Sequence, residues 1–328
     1  SGKCIFMYLS AVLLSGCAST PKWIENPKAV YPEQKFLVAV GEGDTRRSAE
    51  NAAAANLSRI FEARIESEER LQDRTHETRN SFERTSDFTT DINILSAQTL
   101  HNIQHAEAWK DKNGRYHAIA YLNRRETAAI YRDKIDRQSE RVSFLLSNLR
   151  QTADPLRKFA TLRAAIHHAE KADILIRQLK IIQSRSVPEL EYSMVKLHSE
   201  LADTAKKIKV EIHVEGDIDQ RIGSCMEELI TRYGFVTGQP GTIKIKTRIS
   251  IHETDQSTAD LVFVRYDLSA QVLDTEGSVL VSINEKGREG HVTIPEARIR
   301  SIRTLENAIK AKVIQQFDRY FGSLVEQQ

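Results

Sequence analysis

One long segment without glycine constrains the fold of this chain more than any other sequence feature. Between Arg125 and Lys207 the only strong helix breakers are Pro155 and Pro188. Because glycine and proline destabilise a helix interior more than other residue types, this composition predicts three helices that are separated at the prolines. The segment shows no repeated motif, so we interpret it as a helical connector or hairpin.

The residues before the connector, 35–124, have the pattern of a small mixed domain. An apolar run at residues 36–40 predicts a buried strand, followed by a turn at residues 41–43. Ser48 is predicted to begin a helix with an alanine-rich apolar stripe, because its hydroxyl can accept a hydrogen bond from an amide of the first turn. Two further strands are predicted around Asn113-Gly114, a dipeptide typical of hairpins.

The residues after the connector, 208–328, predict a second mixed domain with the order β-α-β-β-β-α. Asp217 is predicted to cap its first helix and Gly234 to end it, and residues 295–321 predict a long amphipathic final helix. The fold class predicted for the chain is therefore α+β. Two small mixed α/β domains, each with a helix packed on an antiparallel or mixed sheet, are joined by the helical connector, residues 125–207.

The N-terminal residues have the pattern of a targeting segment. Residues 1–16 contain a short apolar run that has the length of a signal-peptide core and is too short to span a bilayer. The run ends in Leu14-Ser15-Gly16-Cys17, which resembles the lipobox of bacterial lipoproteins. This resemblance implies that Cys17 starts the mature chain and carries a covalent diacylglycerol and an acyl chain such as palmitate. Residues 17–34 are then expected to form a lipidated tether. The alternative is that Cys17 is an ordinary buried residue of an N-terminal strand.

The charges of the chain nearly cancel. It has 47 Lys and Arg residues against 45 Asp and Glu residues, a formal net charge of +2. Proteins that bind nucleic acids through the phosphate backbone carry a strongly positive region, so this balance argues against nucleic acid as a partner.

Few residues have the spacing that catalysis or cofactor binding requires. Gly41-Glu42-Gly43 lies between a predicted strand and a predicted helix, but it lacks the third glycine of a dinucleotide-binding loop. His101 and His105 would share one face of a helix, as two metal ligands do, but no third ligand accompanies them. Cys225 lies in an amphipathic segment and is expected to be a small buried residue. We therefore predict no enzymatic activity, no cofactor, no metal and no small-molecule substrate.

Several of these features together resemble the LPP-twenty lipoprotein family, which includes flagellar outer-membrane lipoproteins. They are Tyr31-Pro32 before the first strand, Gly41-Glu42-Gly43 at its end, the alanine-rich helix, and the Tyr116 to Ala120 segment of the hairpin. The resemblance extends over roughly residues 17–130. It implies a lipid-anchored α/β domain without enzymatic activity in the cell envelope.

The function predicted from these observations is that of a periplasmic lipoprotein anchored in the outer membrane. It is expected to act as a scaffold subunit of an envelope complex, in a flagellar or secretion-associated ring, as a homo-oligomer or with envelope proteins. The alternative is a monomeric regulatory or peptidoglycan-binding lipoprotein. The predicted contact residues are Trp23, Tyr31, Arg298, Arg300 and Arg303.

Overall fold

The computed structural model describes residues 20–76, 100–185, 187–217, 219–258 and 260–326. The chain divides into two compact units. Unit 1 comprises residues 1–133 and 174–187, and unit 2 comprises residues 134–173 and 188–328. The helices predicted as a separate connector are therefore divided between the units, because their apolar faces pack into the two cores.

Unit 1 begins with two short helices, α1 (Lys22–Glu25) and α2 (Pro27–Val30). The strands β1 (Phe36–Gly43), β2 (Gln104–Lys110) and β3 (Tyr116–Asn123) form an antiparallel sheet in the order β1-β3-β2. The helix α3 (Arg46–His76) packs on this sheet. The predicted hairpin between β2 and β3 is confirmed, and Gly114 in its turn has a φ of 86°, which glycine adopts without a steric penalty.

The start of α3 differs from the prediction. The helix begins at Arg46, two residues before Ser48, and the residue at its N-cap is Thr45. The Ser48 amide donates to Thr45 Oγ1 over 3.1 Å, and the Thr45 amide donates to Ser48 Oγ over 3.0 Å. The two side chains thus satisfy each other's backbone amides in a reciprocal cap, of the kind that a Thr followed by a polar residue three positions later can form.

The first strand also extends further than predicted, since Gly41 and Gly43 pair with Ala118 and Tyr116 of β3. The prediction of a turn at residues 41–43 is therefore wrong. A Cβ atom at Gly41 would lie 2.0 Å from the Ala53 nitrogen, so α3 approaches the strand where a glycine leaves room for its backbone. The small side chains of Ala49 and Ala53, which are fully buried, permit this close approach of α3 to the strand.

Two long helices have residues in both units: α4 (Arg124–Leu149) and α5 (Pro155–Ile182). Within unit 1, Arg124 Nη1 donates to the carbonyls of Ile181 and Ile182 at 2.8 and 2.7 Å, and Arg124 Nε donates to the Glu33 carbonyl at 2.8 Å. The carbonyls at the C-terminal end of a helix have no partner inside the helix. Arg124 therefore caps α5 and ties it to the residues before β1.

Unit 2 contains α6 (Met194–Ala205), β4 (Lys209–Glu215), α7 (Arg221–Arg232), β5 (Val236–Thr237), β6 (Ile243–Ser257), β7 (Val262–Leu273), β8 (Val279–His291) and α8 (Ile294–Glu326). Its sheet has the order β5-β4-β6-β7-β8, with β4 parallel to both neighbours and the remaining pairs antiparallel. The predicted β-α-β-β-β-α order is confirmed, with the two-residue strand β5 in addition. Asp217 lies four residues before Arg221, the first residue of α7. Its Oδ2 accepts from the Gly223 amide at 2.7 Å, so this carboxylate caps the helix.

The core of unit 2 lies between one face of its sheet and the helices α7 and α8. Residues of one parity on β6 and β7, such as Ile245 and Leu268, are buried there, as the alternation of a strand requires. At one end of this core the rings of Phe159, Phe235 and Phe321 contact one another in edge-to-face geometry. The described side chains on the second face of the sheet are exposed or half-buried.

Candidate functional site

The predicted contact residues near the N-terminus have structural roles. Cys17 lies outside the described residues. Trp23 is only 3% exposed, and its indole nitrogen donates to Glu107 Oε2 over 2.9 Å. A buried indole with a satisfied N–H is part of the core of unit 1, and partner binding by Trp23 stays a prediction. Tyr31 is half-buried and stacks at 5.1 Å against Tyr121, so it mainly supports the sheet.

The three predicted arginines of α8 differ in what they contact. Arg298 reaches Glu253 Oε1 at 3.5 Å, and Arg300 donates to the Gly290 carbonyl at 3.3 Å. Arg303 is exposed. Arg298 and Arg300 therefore hold the start of α8 against the ends of β6 and β8, and partner binding by Arg303 stays a prediction.

The glycines at the end of β1 cannot cradle a phosphate. A Cβ atom at Gly43 would lie 2.1 Å from Ser48 Oγ and 2.6 Å from the Ala49 nitrogen, and Gly41 is equally crowded by α3. The space that a dinucleotide would need next to both glycines is filled by the helix itself. The Gly-x-Gly pattern thus serves helix-to-strand packing.

The residues considered for metal binding do not form a chelating site. His101 precedes β2 and contacts Tyr131 edge-to-face with ring centroids 5.5 Å apart, whereas His105 lies in the strand, so the two are not on one helical face. Within the described ranges, no group of three His, Cys, Asp or Glu residues is arranged to hold a metal ion.

Cys225 is buried on α7, as predicted, and 5% exposed. Its Sγ lies 3.8 Å from the carbonyl oxygen of Glu306 on α8, to which the thiol donates. Burial raises the pKa of the Cys225 thiol to about 11. At neutral pH the group is therefore a protonated thiol, and the reactive thiolate is nearly absent.

The exposed face of the unit 2 sheet brings together charged side chains from four strands. Because strand residues alternate between faces, most polar residues of β4, β6, β7 and β8 lie on the side opposite the core. In the regularly paired part of these strands, this face holds seven lysines and arginines against three carboxylates, an excess of four positive charges. The cations are Lys209, Lys244, Lys246, Arg248, Arg265, Lys286 and Arg288, and the carboxylates are Glu211, Glu215 and Asp267. We call this surface the basic sheet face.

The three carboxylates already have cationic partners. Glu211 lies 3.9 Å from Lys244, Glu215 lies 2.9 Å from Arg248, and Asp267 lies 2.8 Å from Lys286. Since solvent screens the charges of exposed ion pairs, these pairs contribute little to stability. They balance three cations, and the other four cations of this face are Lys209 on β4, Lys246 on β6, Arg265 on β7 and Arg288 on β8.

One histidine and two arginines form a row that crosses three strands of this face. His252 is directly opposite Arg265, and Arg265 is directly opposite Arg288. Side chains in such cross-strand positions have Cβ atoms about 5 Å apart, and like charges there are destabilising. Arg288 is held over the ring of Phe263, 4.8 Å from its centroid. This row is the part of unit 2 that an anionic partner would neutralise.

The row ends at β8, the outermost strand of the sheet. From Val281 to His291 every residue of β8 is paired with β7, and in the described part of the chain no further strand lies on its other side. Gly287 and Gly290 make room for rings of the neighbouring strand: Cβ atoms there would lie 2.1 Å from Tyr266 Oη and 2.5 Å from Phe263 Cε1. Rings packed over glycines pin the register and keep this edge regular.

The basic sheet face was not predicted from the sequence. Lys244, Lys246 and Arg248 lie on one strand, β6, but the other four cations lie on three further strands. The signal present in the sequence was the alternation of β7 and β8, where Arg265, Lys286 and Arg288 all occupy polar positions. Their proximity follows from the strand register, which the sequence pattern did not predict.

Among the described helices, none combines the length and the apolar composition that crossing a membrane requires. No curated protein matches the chain. One similar solved structure is that of the secreted protein HP1454 from the human pathogen Helicobacter pylori, with 17% identity, a TM-score of 0.49, and coverage of 85% of this chain and 97% of that one. Another is a minor lipoprotein from Acinetobacter baumannii, with 11% identity, a TM-score of 0.25, and coverage of 36% of this chain and 94% of that one. Residues 21–123 match the LPP20 lipoprotein family, which confirms the resemblance that the sequence predicted for the N-terminal part of the chain.

Proposed function

We propose that this protein is a non-enzymatic lipoprotein that is anchored through Cys17 in the outer membrane and acts on the periplasmic side as an assembly subunit of an envelope complex. The observation that carries the proposal is the long edge strand β8. It pairs regularly with β7 over residues 281–291 and faces no further strand among the residues that the structure describes. The lipid anchor is supported by the lipobox-like residues and by the LPP20 family match.

An edge strand is suited to association because alternate backbone N–H and C=O groups point away from the sheet. A strand from a partner can satisfy them, and each backbone hydrogen bond contributes about 0.5–1.5 kcal/mol net. Unit 1 has two further edges, at β1 and β2, but β2 is interrupted by a register shift between His105 and Ala108. The edge of β8 is therefore the better platform.

Site-specific crosslinking in cells tests this proposal. A photo-crosslinking amino acid replaces Asn284, which is exposed on β8, and the matched control replaces Glu227, which is exposed on α7. We expect adducts with envelope proteins or with a second copy from position 284 and few from position 227. Equal yields at both positions, or no adduct at position 284, would refute assembly through this edge.

The flagellar or secretion-associated ring is the finer form of the proposal. It is supported by the resemblance to a family with flagellar members. Identification of the crosslinked proteins by mass spectrometry tests it, because a ring subunit gives adducts with ring components. Adducts that consist solely of unrelated envelope proteins would contradict it.

A peptidoglycan-binding lipoprotein is the second candidate, and the basic sheet face favours it because peptidoglycan carries carboxylates. Removing residues 208–328 is a poor test, since Phe159 of α5 packs against Phe235 and Phe321 and would lose this core. Co-sedimentation of the intact protein with purified cell-wall sacculi is the better measurement. Retention that is lost when Lys246 and Arg265 are both replaced by Glu would support this candidate.

A further inference from the structure

The basic sheet face and the edge of β8 meet along one strand, and together they define which partner would fit. We propose that β8 pairs with an extended acidic segment of another protein, in which carboxylates alternate with uncharged residues. This inference rests on the proposed function, assembly through the edge of β8. Two of these carboxylates would lie on the basic sheet face, directly beside Arg288 and Lys286.

An added strand would extend the existing rows of the sheet. One row runs through His252, Arg265 and Arg288, and the next contains Asp267 and Lys286. The position beyond Arg288 would therefore lie next to a row without any carboxylate. An acidic residue there would accept hydrogen bonds from a guanidinium that is already oriented over the Phe263 ring.

The other side of β8 has a different chemistry. Glu285 and Glu289 point to the side of α8, where Glu285 is bonded to Lys312 and Glu289 accepts from Thr304 Oγ1 at 2.8 Å. An acidic side chain of the partner on this side would face two carboxylates that are already occupied. The partner is therefore acidic at alternate positions only, and this period of two is a property of a strand and not of a generally acidic surface.

A second copy of β8 is a poor occupant of the edge. In an antiparallel pair centred on Gly287, Lys286 would face Arg288 and Glu285 would face Glu289. A symmetric register can also be centred on one of the charged residues Glu285, Lys286, Arg288 and Glu289. The central residue would then face the same residue of the second molecule. Every symmetric register centred on a residue from 285 to 289 thus places like charges directly opposite each other, which disfavours self-pairing in the charged part of β8.

The length of the pairing stretch is limited at one end. Arg300 donates to the carbonyl of Gly290 at 3.3 Å, so this acceptor is already used. We therefore expect the partner strand to pair with residues between Ser282 and Glu289. This segment contains both cations of β8.

Peptide binding tests the inference. The probe is the fluorescently labelled peptide Thr-Val-Glu-Thr-Glu-Val-Thr, and a version with Lys in place of both Glu residues is its control. Fluorescence anisotropy measures the affinity of each peptide for the purified full-length protein without its lipid. We expect the Glu peptide to bind and the Lys peptide not to bind.

Charge reversal locates the binding. The variant Lys286→Glu with Arg288→Glu should weaken the Glu peptide by at least about tenfold, since two cross-strand pairs change from attraction to repulsion, and it should bind the Lys peptide instead. The matched control, Lys209→Glu with Lys246→Glu, reverses two charges of the same face away from the edge and should change the affinity less than about threefold. Far-UV circular dichroism checks that both variants are folded.

Backbone methylation of the peptide shows whether a strand is formed. Methyl groups on alternate amides should abolish binding in one of the two possible patterns and leave it in the other, because only one set of amides faces β8. Equal weakening by both double variants, absence of Glu-peptide binding, or binding only to anionic phospholipid vesicles would each overturn the inference. Crosslinks from position 284 without binding of the Glu peptide would refute this inference alone, whereas absence of those crosslinks would refute the proposed function.

Discussion

The glycine at position 41 provides the sharpest test of how unit 1 is built. A Cβ atom at this position would lie 2.0 Å from the Ala53 nitrogen, 2.5 Å from the Ala52 carbonyl carbon and 2.6 Å from the Ala49 oxygen. All three are backbone atoms of α3, so no side chain can rotate away to relieve the overlap. We predict that Gly41→Ala strongly destabilises unit 1.

The magnitude follows from the geometry. Ordinary contacts of a Cβ atom begin near 3.4 Å, so α3 would have to move by more than 1 Å along its contact with β1. Overpacking of a tight interior costs about 1–3 kcal/mol, and the rigidity of the obstructing atoms places this variant at the upper end, at about 3 kcal/mol. With a urea m-value of about 2 kcal/mol/M, the unfolding midpoint should fall by about 1.5 M.

Tryptophan fluorescence is the suitable assay because both tryptophans of the chain, Trp23 and Trp109, lie in unit 1. The matched control is Gly322→Ala on α8, where a Cβ atom meets nothing within 4 Å. Alanine has a higher helix propensity than glycine, so this control should leave the fluorescence transition unchanged or raise stability by up to about 1 kcal/mol. A Gly41→Ala protein whose fluorescence midpoint equals that of the parent would refute the packing argument.

Three further predictions concern single side chains. Arg124→Lys should lower the unfolding free energy by about 1–3 kcal/mol, because a lysine cannot donate at once to the carbonyls of Glu33 and Ile182, and urea unfolding measures this; an unchanged midpoint would contradict the capping role. Cys225 should react with a maleimide at neutral pH far more slowly than in denaturant, as mass spectrometry can show, since burial raises the pKa of its thiol to about 11; equal rates would contradict its burial. Burial and the neighbouring His167 lower the pKa of His168 to about 4, so the unfolded chain binds the proton first and stability should fall as the pH drops from about 6.5 to 4. His168→Gln should reduce this acid sensitivity in thermal melts, and an unaltered pH profile would show that His168 does not contribute.

The elements of the fold were largely predictable because their signals are local. The hairpin at Asn113-Gly114 follows from a turn that is encoded in two residues, and the three helices between 124 and 205 follow from a segment without glycine. The end of β1 was not predictable in the same way. Glycines 41 and 43 are typical of a turn in a sequence, and only the position of α3 shows that they are strand residues where a helix comes close.

The candidate site was much less predictable than the fold. Trp23 was predicted to contact a partner, but its indole is covered and bonded to Glu107, 84 residues away in the sequence. The basic sheet face was overlooked for the same reason. Long-range contacts decide both whether a side chain is exposed and which side chains are its neighbours.

Four properties of this protein could be read from the sequence alone. They are the α+β class, the order of elements in each half, the LPP20 resemblance and the nearly balanced charge of +2. Only the tertiary structure decided how those charges are distributed. Strand pairing brings cations from β4, β6, β7 and β8 onto one face and leaves β8 at the edge. The physical reason is that alternation assigns each residue to a face locally, whereas the register between strands, set by core packing over long sequence separations, determines which charges become neighbours.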